Sequence, residues 1–238
     1  MQTDDTGWKI GGQAAFLMGF GTKDTAYFQI RLRHRAEEVA EVITAAFEGV
    51  LNTDRSPTYD AKLFEEIAKQ KCLSHILKNL SELEGKTRGR GKSFARRLKE
   101  LLRQMIDLWQ QQRDGQIGRE EYLSKGRNLN DALEEYLYER PLKNPDNASM
   151  LNELGWQQDQ GNLTRFLEDP NIDPTNNFAE RLLRAAVIAR KVSQCSKSER
   201  GANAYAAFKS VLTTSYLRGL SIIQSVAELI SPKARAPA

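Results

Sequence analysis

Strand-like alternation is confined to residues 1 to about 80, and helical periodicity takes over from there to the end of the chain. Ala14-Ala15-Phe16-Leu17-Met18-Gly19-Phe20 is a short apolar run between glycines, and Ala26 to Leu32 alternates with a strand's period. Gly11-Gly12 and Gly21-Thr22-Lys23-Asp24 supply the turns, which predicts an antiparallel meander. Ala36 to Phe47 reads as an amphipathic helix, and Gly49-Val50-Leu51-Asn52-Thr53 as a buried strand ending at Asp54. Three strands, a helix and a further strand predict an α/β fold with a mixed sheet flanked by helices. From 81 to 168 the pattern is helical throughout: Ser93 to Arg113, Glu120 to Glu139 and Ser149 to Leu167, with Pro141 to Pro145 breaking the chain. From Pro174 to about Ile230 the chain is helical again, and 231–238 read as a frayed tail.

At 238 residues the chain is long enough for one large domain, or one domain with an insertion. A net charge of +4 permits nucleic acid as a partner without demanding it. Two cysteines exclude a disulfide framework and point to an intracellular protein. No apolar run approaches the roughly 20 residues needed to span a bilayer, and Met1 to Asp5 lacks the apolar core of a signal peptide. The expectation is a cytoplasmic protein with no membrane partner.

The segment from Asp173 to Lys191 carries the most chemistry. Asp173 or Thr175 suits a helix cap and Pro174 a helix entrance. Ala179, Leu182, Leu183, Ala186 and Val187 then repeat at helical spacing, while Asn177, Glu180, Arg184 and Lys191 share a neighbouring face. One carboxylate among cations just after a helix start suits a metal ion with phosphates gripped around it. Helix geometry alone favours the plainer reading, a surface helix with Glu180 and Arg184 as an ion pair.

Asn176-Asn177-Phe178-Ala179-Glu180-Arg181 with Arg184, then Val187 to Lys191, then Ser198-Glu199-Arg200-Gly201-Ala202, resembles the end of the catalytic domain in insertion-sequence-66-type transposases. These belong to the DDE class, named for two Asp and one Glu that bind metal. Asp4-Asp5-Thr6-Gly7-Trp8 is similar to the family's motif for the first Asp. Gly49 to Asp54, with Tyr59 behind it, looks like the strand that ends in the second. Cys72-Leu73-Ser74-His75 matches the family's Cys-x-x-His signature beyond that Asp. The resemblance implies a ribonuclease H-like core in two parts, 1–80 and 169–230, with the all-helical block 81–168 inserted before the last catalytic helix.

It also implies a site made of Asp4, Asp54 and Glu180, holding two Mg²⁺ or Mn²⁺ ions. Such ions, about 4 Å apart, prefer hard carboxylate oxygens and flank an in-line displacement at phosphorus. The expected reaction is nicking at transposon ends, then attack of the freed 3′-hydroxyl on target double-stranded DNA, by a homo-oligomer assembled on DNA in a bacterial cytoplasm. Asp5 rivals Asp4, because adjacent strand residues point to opposite faces; Asp4 fits the motif better. Cys72 and His75 form half of a zinc site, with only Cys195 and His34 left to complete it, so packing for Cys72 and a site-facing role for His75 are expected. Trp8, Trp109 and Trp156 read as packing residues.

Arg181, Arg184, Arg190 and Lys191 flank Glu180 and, with His75 and Asn177, are candidate DNA contacts. Arg88, Arg90 and Lys92 lie in a glycine-containing basic run that reads either as a flexible phosphate-binding arm or as a solvated loop. Full-length relatives carry an N-terminal end-recognition region, so this chain reads as an N-terminally truncated catalytic part. Ala185-Ala186 and Val192 to Cys195 stand where the family has a proline and aromatics. A non-catalytic DNA-binding remnant or regulator is the alternative, and an unrelated ribonuclease H-like nuclease the third reading.

Overall fold

The computed structural model describes residues 1–138 and 142–230. The start of the expected chain break, Pro141, the end of the second helix at Glu139 and the expected tail at 231–238 lie outside them. The chain forms two compact units. The first contains Met1–Gly49, Pro57–Glu66 and the chain from Asn176 on; the second contains Val50–Ser56 and Ile67–Thr175.

The first unit is built on an antiparallel meander of β1 (Gln2–Ile10), β2 (Gln13–Gly21) and β3 (Ala26–Arg31). Gly11 and Gly12 both take positive φ, at 57° and 86°. That is the two-residue hairpin turn whose twist matches the strands it joins, and Ile10 pairs with Gln13 across it. Helix α1 (Ala36–Ala40) is shorter than the expected Ala36–Phe47. The β-branched run Val42-Ile43-Thr44 continues from it as turns, yet Val39 and Ile43 are both buried, so the apolar spacing was real while the helix ended early. Tyr59 and Phe64, on two 3₁₀ turns at Pro57–Asp60 and Lys62–Phe64, are also buried.

Helices α7 (Asn177–Ser193) and α8 (Glu199–Leu217) cover one face of the meander. α7 packs on β1 and β2, and α8 on β3, enclosing Trp8, Leu17, Phe28, Leu183, Ala186 and Ala206. Glycines allow that close approach: a Cβ on Gly21 would lie 2.5 Å from Leu182 Cδ1 and 2.7 Å from Phe178 Cε1. The outer edge of β3 is closed by hydroxyls of α8. Ser210 Oγ accepts from Phe28 N at 2.9 Å, and Thr214 Oγ1 accepts from Ala26 N and donates to Ala26 O, both at 3.0 Å. These bonds occupy backbone groups that an open edge would offer to another strand. A short helix, α9 (Ile222–Ile230), lies beyond α8 in the chain.

The second unit pairs β4 (Leu51–Thr53) with β5 (Lys69–Lys71) in parallel, and then runs through helices α2 (Leu73–Lys86), α3 (Gly89–Arg113), α4 (Arg119–Leu137), α5 (Pro145–Asp159) and α6 (Arg165–Glu168). Leu73, Ile76, Leu80, Phe94, Leu98, Leu102, Met105, Tyr122, Leu133 and Phe166 form its core. The apolar spacing of α3 puts Phe94, Leu98, Leu101, Leu102, Met105, Ile106 and Leu108 on one side; all are buried except Ile106, which is half-buried. The helix starts four residues earlier than Ser93, and α5 starts at Pro145 and stops at Asp159 rather than running to Leu167. Parallel and antiparallel strands with helices beside both sets make this an α/β protein.

Candidate functional site

Helix α7 carries Glu180 in its first turn. The expected caps do not close it. Asp173 accepts from Arg113 at 3.2 Å, and the carbonyls of Asp173 and Thr175 accept from Asn52 Nδ2 at 2.6 and 3.1 Å. Together with Leu73 N donating to Pro174 O at 2.9 Å, this fixes the turn 173–175 to β4 and to the start of α2. The N-cap is Asn176, whose own side chain makes no capping bond. Gln2 supplies the cap instead. Its Oε1, on a side chain from β1, accepts from Phe178 N at 3.1 Å and Ala179 N at 3.4 Å. Those are two of the orphan donors at any helix start, so the first turn of α7 is closed by the second residue of the chain.

Strand alternation separates the two candidates for the first Asp. Gln2 and Thr6 both touch α7: Gln2 as described, and Thr6 Oγ1 by accepting from Arg190 Nη1 at 3.0 Å. Trp8 joins the core that α7 and α8 enclose. Asp4 lies between Gln2 and Thr6 in the same two-residue period, so it belongs to the face that α7 covers. Asp5 belongs to the other face, where its carboxylate stands 3.3 Å from His34 Nδ1 and Thr3 Oγ1 lies 3.2 Å from the Tyr59 hydroxyl. Asp4 is the third residue of a nine-residue strand, paired with Gly19, and thus sits inside β1 rather than at its end.

Asp54 comes directly after β4 and lies in the second unit. Its Oδ1 accepts from Ser56 N at 2.9 Å, closing a tight turn. Cys72 is buried at the junction of β5 and α2, its N–H donating to Thr53 O at 2.7 Å. His75 is half-buried in the first turn of α2. Cys195 and His34 belong to the other unit. Among the described residues, no group of three or more His, Cys, Asp or Glu is placed to hold a metal ion. Asp4, Asp54 and Glu180 are each carboxylates, the ligand type that Mg²⁺ and Mn²⁺ prefer.

The basic residues divide by what they touch. Arg181 and Arg184 are exposed, and the Arg181 guanidinium lies 5.8 Å from the Phe178 ring centroid. Asn177 and Lys191 are exposed as well. Arg190 is half-buried and held against β1: Nη1 donates to Gly7 O at 2.5 Å as well as to Thr6. The run Arg88–Lys92 is not a flexible arm. Gly89 opens α3 with φ +56°, and Gly91 is buried where a Cβ would meet Asn147 Oδ1 at 2.6 Å. Arg90 and Lys92 therefore project from an ordered helix, with Arg88 at its cap. Further along, Arg96 and Lys99 pair with Glu84, and those two partners, Lys99 first, hold the Glu84 carboxyl below its ordinary range.

Neither Gln2 as a cap nor Asn52 as the tie for the turn before α7 is legible in the sequence. No local signal marks either, because their partners lie more than a hundred residues away. No described helix is long and apolar enough to cross a membrane. Residues 2–204 match a family profile described as "Transposase IS66 family". Curated proteins and solved structures yielded no match.

Proposed function

The chain belongs to the IS66 transposase family, and from that premise we propose that it is the DDE catalytic part, cleaving and joining DNA at insertion-sequence ends with divalent metal. A transposase acts on DNA, and the chemistry required is phosphoryl transfer. Asp4, Asp54 and Glu180 would hold Mg²⁺ or Mn²⁺, which supplies Lewis-acid stabilisation to the attacking and leaving oxygens when bound. In the first step a water oxygen attacks the phosphorus at the transposon end, the P–O3′ bond breaks, and the 3′-oxygen leaves as a hydroxyl. That hydroxyl then attacks a target phosphodiester, exchanging one P–O bond for another.

The observation that carries this reading is the alternation along β1, which assigns Asp4, and not Asp5, to the face covered by the helix of Glu180. A ribonuclease H-like core is the fold this reading invokes, and the three-stranded meander with a later parallel strand pair supports it. Arg181, Arg184 and Lys191 are the side chains on α7 proposed to grip phosphates, with Asn177 beside them. His75 and the Arg88, Arg90 and Lys92 set on α2 and α3 are proposed further contacts. Arg190 is proposed to act indirectly, keeping α7 seated on β1 through Thr6 and Gly7. Assembly as a homo-oligomer on paired DNA ends belongs to the same proposal.

The test is nicking of plasmid and transposon-end DNA with Mg²⁺ or Mn²⁺, comparing the chain with Glu180→Gln and Asp4→Asn. Metal-dependent nicking lost in both variants supports the reading, whereas an unchanged rate in Asp4→Asn refutes the assignment of the first carboxylate. Salt-sensitive DNA binding without nicking by any form would favour a DNA-binding remnant.

A further inference from the structure

We propose that Glu153, on α5 of the helical block, acts through Arg55 to position the Asp54 carboxylate; the inference rests on the reading of Asp54 as a metal ligand. Asp54 is the first residue after a strand of three residues, too short to hold the next residue rigidly by itself. The chain turns there, with Ser56 N donating to Asp54 Oδ1 at 2.9 Å. The residue between them is pinned from more than one side. Arg55 Nε donates to Glu153 Oε1 at 2.8 Å and Nη2 to Glu153 Oε2, a two-pronged carboxylate contact. Arg55 Nη1 also donates to Asn79, 3.1 Å away with its amide turned to accept, and Asn79 donates in turn to the carbonyl of His75.

The Arg55 side chain is 18% exposed. A guanidinium with this many fixed partners differs from a surface ion pair such as Arg97 with Glu100, where both side chains are about half exposed. The backbone between Asp54 and Ser56 is thereby tied to α2 and to α5 of the helical block. A carboxylate must be held to a fraction of an ångström to serve as a ligand, and partners that orient ligands affect metal affinity even without touching the ion. The helical block thus has a role in the site beyond any contact with DNA.

The test uses the full chain as wild type, Glu153→Ala, the charge-swapped pair Arg55→Glu with Glu153→Arg, and Glu100→Gln as a control of equal charge change. Amide hydrogen exchange at Ser56 is read first, with no metal or DNA present. Glu153→Ala is expected to speed it about tenfold, with the core of α3 unchanged and the swapped pair back near wild type. The Mn²⁺ concentration for half-maximal nicking is then expected to rise on the order of tenfold in Glu153→Ala, with KM for DNA unmoved. Exchange at Ser56 and Mn²⁺ requirement both matching the Glu100→Gln control would overturn the proposal, as would faster exchange with no change in Mn²⁺ requirement. If the alanine variant does not fold, Glu153→Gln replaces it. Absence of nicking by the wild type sinks the functional reading instead, while the exchange measurement still decides whether Glu153 holds the turn.

Discussion

Replacing Gln2 by Ala removes the acceptor that closes α7. Two backbone donors, Phe178 N and Ala179 N, lose their partner. Loss of a helix cap costs about 1 kcal/mol. Ala179 is fully buried, so its stranded N–H adds a desolvation cost of about 1 kcal/mol. The total is about 2 kcal/mol, which for a chain of this size corresponds to a fall of about 4–8 °C in Tm. Gln2→Glu keeps an acceptor and places a negative charge at the positive end of the helix, so it should recover most of the loss at neutral pH.

Because the chain has two compact units, a melt alone does not say which one has weakened. Amide exchange at Phe178 and Ala179, read beside exchange in the core of α3, makes that distinction. The expected outcome is faster exchange confined to the start of α7, with Glu180, the next residue along, loosened as well. A Gln2→Ala protein within about 0.5 kcal/mol of wild type, with exchange at 178 and 179 unchanged, would refute the reasoning. It would mean that water or Asn176 replaces Gln2 without cost.

Other substitutions have equally definite outcomes. Gly21→Ala drives a Cβ into Leu182 and Phe178 and should cost about 1–3 kcal/mol, measured by denaturant unfolding. Gln194 ends α7 in the left-handed region at φ 55°, and Gln194→Gly should raise stability by about 0.5–1 kcal/mol in the same assay. Burial lowers the Lys209 ammonium below its ordinary 10.5. The folded state is therefore penalised most below that lowered value, and the penalty fades as pH rises to the unfolded value. Lys209→Met should accordingly raise Tm at pH 7, with the advantage closing above about pH 10.5 in a pH series of melts. Arg184→Ala should weaken DNA binding across all sequences and lower the salt slope by about one, whereas Arg190→Ala should show its main effect as a lower Tm.

The parts legible in the sequence were those that repeat locally. The apolar run between glycines gave β2 and alternation gave β3, each nearly to the residue, and the 3.6-residue period gave the buried faces of α3 and α7. β5 is the counterexample: Lys69-Gln70-Lys71 has no apolar residue, yet all three are buried. Gln70 is accommodated because it bonds at both ends, Nε2 to the carbonyls of Lys71 and Leu163 and Oε1 to Phe166 N. A polar side chain so satisfied can replace a hydrophobic one inside, and composition cannot announce it, since the partners belong to segments nearly a hundred residues away.

The same limit governs the site. The motif around Glu180 was visible because its residues are neighbours in sequence, but the features that determine its setting are long-range and polar. Gln2 closes the helix, Thr6 receives Arg190, and Asn52 holds the turn at 173–175. Each projects from a strand, and each meets a backbone group or a cation that local sequence leaves unpartnered. The two acids of Asp4-Asp5 were separable in principle from the period-two rule alone, but the rule gives parity and not direction. Direction came from Gln2 and Thr6 on one side and from His34 on the other. An Asp5→Asn substitution should therefore disturb the His34 contact and leave α7 seated, whereas Asp4→Asn changes the face that α7 covers. Equal effects of the two substitutions on exchange at the start of α7 would contradict the assignment of faces.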